Sequence, residues 1–138
     1  MFASIGELFL VAAHVEDTIR FNLTCEAGDL SDREWERFGL LGFATLAKAF
    51  EKNFAPRSSD YVTFCSLMAE IRERMEMRHA IAHGFPIIKG DGITMLRPRL
   101  LADGTQFTPL TSDAISTNAR ELHRALGEAM ELVGAWPG

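Results

Sequence analysis

Apolar residues at Ile5, Leu8, Phe9, Ala12, Val15 and Ile19 recur at helical spacing, which predicts a long amphipathic helix over residues 3–24. Gly28 and Asp29 interrupt that pattern. Ser31 to Glu34 read as a capping box, in which the Ser31 hydroxyl accepts from the Glu34 amide and the Glu34 carboxylate reaches back. The second predicted helix carries Trp35, Phe38, Leu41, Leu46 and Phe50 and runs to about Phe54, with Pro56 ending it. Ser58, Ser59 and Asp60 offer caps for a third helix, whose stripe is Phe64, Met68, Ile71, Met75 and Ala82. Gly84 sits where the residue after a helix end belongs, and Pro86 prevents continuation.

After Gly84 the texture changes. Asp91-Gly92 and Asp103-Gly104 are turn signals around Ile93, Met95, Leu96, Leu100 and Phe107, which predicts a β-hairpin over about residues 92–110. Pro98 pushes one of its strands toward a sheet edge. Ser112-Asp113 then caps a last helix carrying Ile115, Leu122, Leu126, Met130 and Val133. The expected architecture is an all-α, antiparallel four-helix bundle with a small β-hairpin between helices three and four. One domain over residues 1–138 is expected, the hairpin insertion spanning about 86–110.

Composition changes this picture little. With 47% hydrophobic and 24% charged residues, the chain is neither disordered nor collagen-like. Cys25 and Cys65 lie far apart without a CxxC pair, so neither a disulfide framework nor a zinc ribbon is expected, and a reducing cytoplasmic setting is the simplest reading. No Lys or Arg precedes Arg20, Glu7 interrupts the early apolar run, and the longest charge-free stretch is Phe38 to Ala47, so neither export nor a membrane span is expected. The net charge of −5 argues against a general polyanion binder, yet it is unevenly spread. Residues 72–99 carry Arg72, Arg74, Arg78, Lys89, Arg97 and Arg99 against three acids, a local excess of +3 on an acidic body. A basic segment of this kind can meet a phosphate ligand, with Arg72, Arg74, Lys89, Arg97 and Arg99 as the candidate RNA contacts, or it can simply expose charge for solubility.

The string Arg78-His79-Ala80-Ile81-Ala82-His83-Gly84 stands apart. On a helical projection Arg78, His79 and Ala82 fall within about 60° of the Met68–Ile71–Met75 stripe, at the edge of a core-facing surface where charged groups need partners. One account is structural: Arg78 and His79 bond to carboxylates of helix one, such as Asp17 or Glu16, while His83 caps carbonyls. The other is catalytic. Arg78 and His83 with Ile-Ala-His-Gly resemble the Rx4–6H motif of HEPN domains. That resemblance implies a helical bundle with two long central helices, homodimerisation, and in many members metal-independent ribonuclease activity within toxin–antitoxin, CRISPR or phage-defence systems. It also implies an antitoxin or defence-system partner protein. Two departures stand out: His79 replaces the usual Asn or Asp, and Phe85 replaces the tyrosine adenylylated in one toxin subgroup. Other HEPN-like domains are inactive and serve as adaptors, the second reading for this chain.

The residue types suit RNA transesterification. Histidine titrates near neutrality and can exchange a proton with a 2′-hydroxyl or a leaving 5′-oxygen. Arginine stays cationic and forks onto phosphoryl oxygens. Five residues apart on a helix, Arg78 and His83 diverge by about 140°, so two copies across a two-fold axis would assemble a more complete cleft, with His79 in support. A metal site from His79 and His83 at i, i+4, completed by His14, His123 or Glu76, is the weaker rival, as there is no HExxH pattern. No cofactor is expected, no GxSxG context supports a serine hydrolase, and Gly39 and Gly42 read as helix-packing glycines.

Overall fold

The computed structural model describes residues 2–26, 42–83, 85–89, 92–96 and 107–138, with side chains over 2–26, 42–82 and 110–138. Among the described residues four α-helices form a bundle: α1 (Phe2–Glu26), α2 (Phe43–Phe54), α3 (Tyr61–His83) and α4 (Ser112–Val133). A turn of 3₁₀ helix, Ala55–Arg57, carries Pro56 after α2, where a missing N–H costs nothing. The predicted capping box at Ser31–Glu34, with Trp35, Phe38 and Leu41, lies outside the described residues, as do Gly84 and Pro98.

The stripes found by periodicity are the core. Leu8, Val15 and Ile19 of α1, Leu46 and Phe50 of α2, and Phe64, Met68 and Ile71 of α3 are fully buried. So are Leu122 and Met130 of α4, and both α1 and α3 pack principally against this last helix. At the end of α3 the stripe departs from expectation: Ala82 is exposed and Ala80 is buried. Asp60 starts α3, its carboxylate accepting from the Thr63 amide at 3.1 Å and the Thr63 hydroxyl at 2.7 Å. For α4 the cap is Thr111 rather than Ser112, its hydroxyl accepting from the Ala114 amide at 3.1 Å.

The bundle is not uniformly antiparallel. Ser4 near the start of α1 meets Ser112 and Ser116 near the start of α4, while Asn22 near its end reaches Met130 and Trp136. Helices α1 and α4 therefore run the same way. So do α1 and α2, since Glu16 shares a cleft with Gly42–Ala44 and Glu26 pairs with Arg57. Only α3 opposes its neighbours, with Arg74 beside Asn118 and Ser59 beside Leu132. The physical reason lies in the connections. The chain reverses between α2 and α3 and again between α3 and α4, whereas residues 27–42 are long enough to carry it from the end of α1 back to the end where α2 begins.

The second of those connections holds a three-stranded antiparallel sheet in the order β1-β2-β3, comprising β1 (Phe85–Lys89), β2 (Gly92–Leu96) and β3 (Phe107–Leu110). The β2–β3 pair, from Ile93↔Leu110 to Leu96↔Phe107, occupies the span of the expected hairpin over about 92–110, and β1 extends it to three strands. Phe85–Lys89, read in the sequence only as a helix stop, pairs with β2 from Phe85↔Leu96 to Lys89↔Gly92. Pro86 and Pro109 both occupy edge strands, where a residue without an N–H is tolerated.

The C-terminal residues are strapped back onto α1. Gly134 ends α4 in the left-handed region at φ 64°, with its amide and that of Ala135 donating to the last turn. Asn22, buried in α1, then grips the backbone of Trp136 from both sides, its amide donating to the carbonyl at 2.8 Å and its oxygen accepting from the N–H at 2.9 Å.

Two outcomes are expected in thermal or chemical unfolding. Leu122→Ala, at a fully buried site, costs about 3 kcal/mol. The hydrogen bonds from Thr63 hold the Asp60 carboxyl below its usual range, so its contribution is complete above that range and is lost as pH falls through the lowered value. Asp60→Asn keeps a cap, and that variant's melting temperature should fall less on acidification than the parent's.

Candidate functional site

Four carbonyls at the end of any helix lack intrahelical partners, and α3 brings its polar string to such an end. Arg78 and His79 face a cleft of about 500 Å³ that is also lined by Glu16 of α1, Met75 and Glu76 of α3, and Gly42, Phe43 and Ala44 at the start of α2. His79 is exposed and Arg78 half-buried. Gly42 is not the packing glycine the sequence suggested: it is the residue before α2, and a Cβ there would meet nothing within 4 Å.

Arg78 donates through Nη2 to Oε1 of Glu16, and about a quarter of each side chain remains accessible. Glu16 was one of the two carboxylates that the structural account named, so that part of the account describes the pair. The bond occupies one of the guanidinium's five N–H donors, leaving the fork able to take a second anion from the cleft side. His83 closes α3 as its last residue; its side chain lies outside the described set.

The other candidate RNA contacts do not gather here. Arg72 turns to α2 and pairs with Glu51. Arg74 turns to α4, where Nη1 donates to Asn118 Oδ1 at 3.2 Å and its carbonyl accepts from Asn118 Nδ2 at 3.0 Å. Nη2 of Arg74 also meets Glu70 at 3.4 Å, while its buried Nε has no hydrogen-bond partner among the described residues. Lys89 belongs to β1 without a described side chain, and Arg97 and Arg99 lie outside the described residues.

Among the described residues no three His, Cys, Asp or Glu side chains are grouped to hold a metal ion, and no helix is long and apolar enough to cross a membrane. His14 and His123, named as completing ligands for a metal, instead face each other across α1 and α4 with ring centroids 5.7 Å apart. Sequence reasoning did not find this pair, because spacing along each helix does not say which faces of α1 and α4 pack side by side. Comparison with protein families, characterised proteins and solved structures finds no match to this chain.

The Arg78–Glu16 contact makes a quantitative expectation. In a double-mutant cycle with Arg78→Ala and Glu16→Ala, partial exposure should limit the coupling energy to about 1 kcal/mol, read from denaturant melts. A far larger loss from Arg78→Ala alone would assign the residue to the fold.

Proposed function

We propose that this chain is a HEPN-like, metal-independent endoribonuclease acting as a homodimer, a toxin or phage-defence effector in which Arg78 and His83 of each copy line a composite cleft. The observation that carries the reading is the cleft at the end of α3, where Arg78 and His79 stand side by side with room for a phosphodiester. Arg78, oriented by Glu16, would hold the non-bridging oxygens as the phosphorane gains charge. One histidine would take the 2′-hydroxyl proton as that oxygen bonds to phosphorus, and a second would protonate the 5′-oxygen as its bond to phosphorus breaks. The products are a 2′,3′-cyclic phosphate and a 5′-hydroxyl, with no metal needed to balance the step. His79 supports phosphate or its neighbours. Two copies are needed because one helix end carries too few such groups.

A specific observation favours a second reading, a catalytically silent dimeric adaptor. Arg78 already has a carboxylate partner, and His79 stands where active relatives of the resembled family carry Asn or Asp. An RNA digest separates the two. The nuclease reading expects cleavage that persists in EDTA and falls by about 100-fold or more in Arg78→Ala and in His83→Ala. Cleavage abolished by chelation would restore a metal mechanism, and an intact dimer that leaves RNA whole would leave the adaptor.

A further inference from the structure

On the opposite side of α1 from Glu16, a groove runs between α1 and α4. One depression of about 340 Å³ is lined by Glu7 and His14 of α1 and by Arg120 and His123 of α4, over an apolar floor that includes Val11 and Ala119. A second, of about 390 Å³, continues from His14 to Phe21 and Trp136. The two share His14.

Charge pairing singles out the first depression. Among the described residues every arginine except Arg120 has a carboxylate within salt-bridge distance; Arg120 has only a long 3.4 Å contact to the Thr117 hydroxyl. One turn along α4, His123 contacts His14, and neither imidazole has a hydrogen bond or ion pair among the described residues. A guanidinium with one weak contact and two imidazoles thus line one depression, with Gly138 beside the His14 ring. Glu7 is the acid on the same wall, half-buried.

The second depression offers a flat apolar surface instead. The Phe21 and Trp136 rings meet at 4.8 Å, tilted by 57°, yet stay 43% and 54% exposed. Asn22 fixes that geometry by holding the Trp136 backbone. The nearby Asp17 is tied to Arg20 at 3.3 Å. His14 and Phe21 lie two turns apart on α1, about 10 Å, the scale of a nucleotide unit.

We propose that this groove binds single-stranded RNA, with Arg120, His123 and His14 taking a phosphate and the Phe21–Trp136 pair stacking a base. A forked cation beside half-exposed aromatic rings is the combination that single strands require, since every base presents a stacking face and every linkage an anion. The inference rests on the reading of the chain as a protein that acts on RNA. It deepens that reading by giving the strand a docking surface apart from the Arg78 cleft.

The test uses the full chain and a fluorescently labelled decanucleotide of 2′-O-methyl RNA, which cannot be cleaved, with binding followed by anisotropy. Arg120→Ala and Trp136→Leu should each weaken binding by about tenfold. Both variants should retain the parental melting curve, because Arg120 holds no ion pair and the Asn22 grip uses only backbone atoms of residue 136. Glu7→Gln should tighten binding, and affinity should fall steeply with salt. A competition arm adds adenosine monophosphate. If the mononucleotide binds as tightly as the strand, the groove belongs to a free nucleotide and the RNA proposal is overturned. Binding indifferent to Arg120→Ala and Trp136→Leu also overturns it, even where Arg78-dependent cleavage persists. Strand binding that needs Arg120 and Trp136 without any cleavage of natural RNA would uphold the groove and remove the nuclease.

Discussion

Burial of α4 between α1 and α3 is the constraint from which the rest of the structure follows. Ala119, Ala125 and Ala129 are fully buried along it, so small side chains let the neighbouring backbones approach, while Leu122, Leu126 and Met130 fill the space between. Polar groups at the same seams are matched rather than excluded. Asn118 and Arg74 exchange two hydrogen bonds between α4 and α3, and Asn22 joins α1 to the chain beyond α4. Both surfaces proposed above to bind RNA depend on these seams. The Arg78 cleft needs α3 held beside α1, and the His14–His123 groove needs α1 held beside α4.

Much of this fold could be read from residue spacing. The predicted helix over 3–24 is Phe2–Glu26, and the last helix buries the stripe assigned to it, because a one-sided apolar pattern leaves a helix few ways to lie. Helix direction was another matter. Periodicity is the same in either sense along an axis, so an antiparallel bundle was expected where α1 is parallel to both α2 and α4. The sheet was only half legible. Ile93 and Met95 signalled a strand, but Phe85–Lys89 follows a helix so closely that its strand character was masked by the stop signals Gly84 and Pro86.

The candidate site divides in the same way. The spacing of Arg78 along α3 placed it at the rim of the core, and Glu16 could be named as a partner because α1 offers few carboxylates at that level. Local charge was a poorer guide. Arg72, Arg74 and Arg78 sit close in sequence, yet they turn to α2, α4 and α1 respectively: Arg72 and Arg74 diverge by about 160°, while Arg74 and Arg78, only about 40° apart, lie one turn along the axis and lean to opposite neighbours. A basic run in the sequence is thereby dispersed into three internal contacts, whereas the pairing-free Arg120 lies where sequence charge gave no excess.

The parallel setting of α1 and α4 also governs how the chain reaches this state. Contacts such as Ser4 with Ser116 and Asn22 with Trp136 join residues 112 and 114 positions apart. Closing loops of that length costs entropy before any burial compensates, so the α1–α4 seam is the contact expected to form late in folding. Because the most deeply shared helix is the last of the described elements to leave the ribosome, α1 emerges long before the surface that covers Leu8, Val15 and Ile19 exists. The apolar face of α1 therefore stays uncovered until α4 has been made, a co-translational exposure that follows from the order of the elements alone.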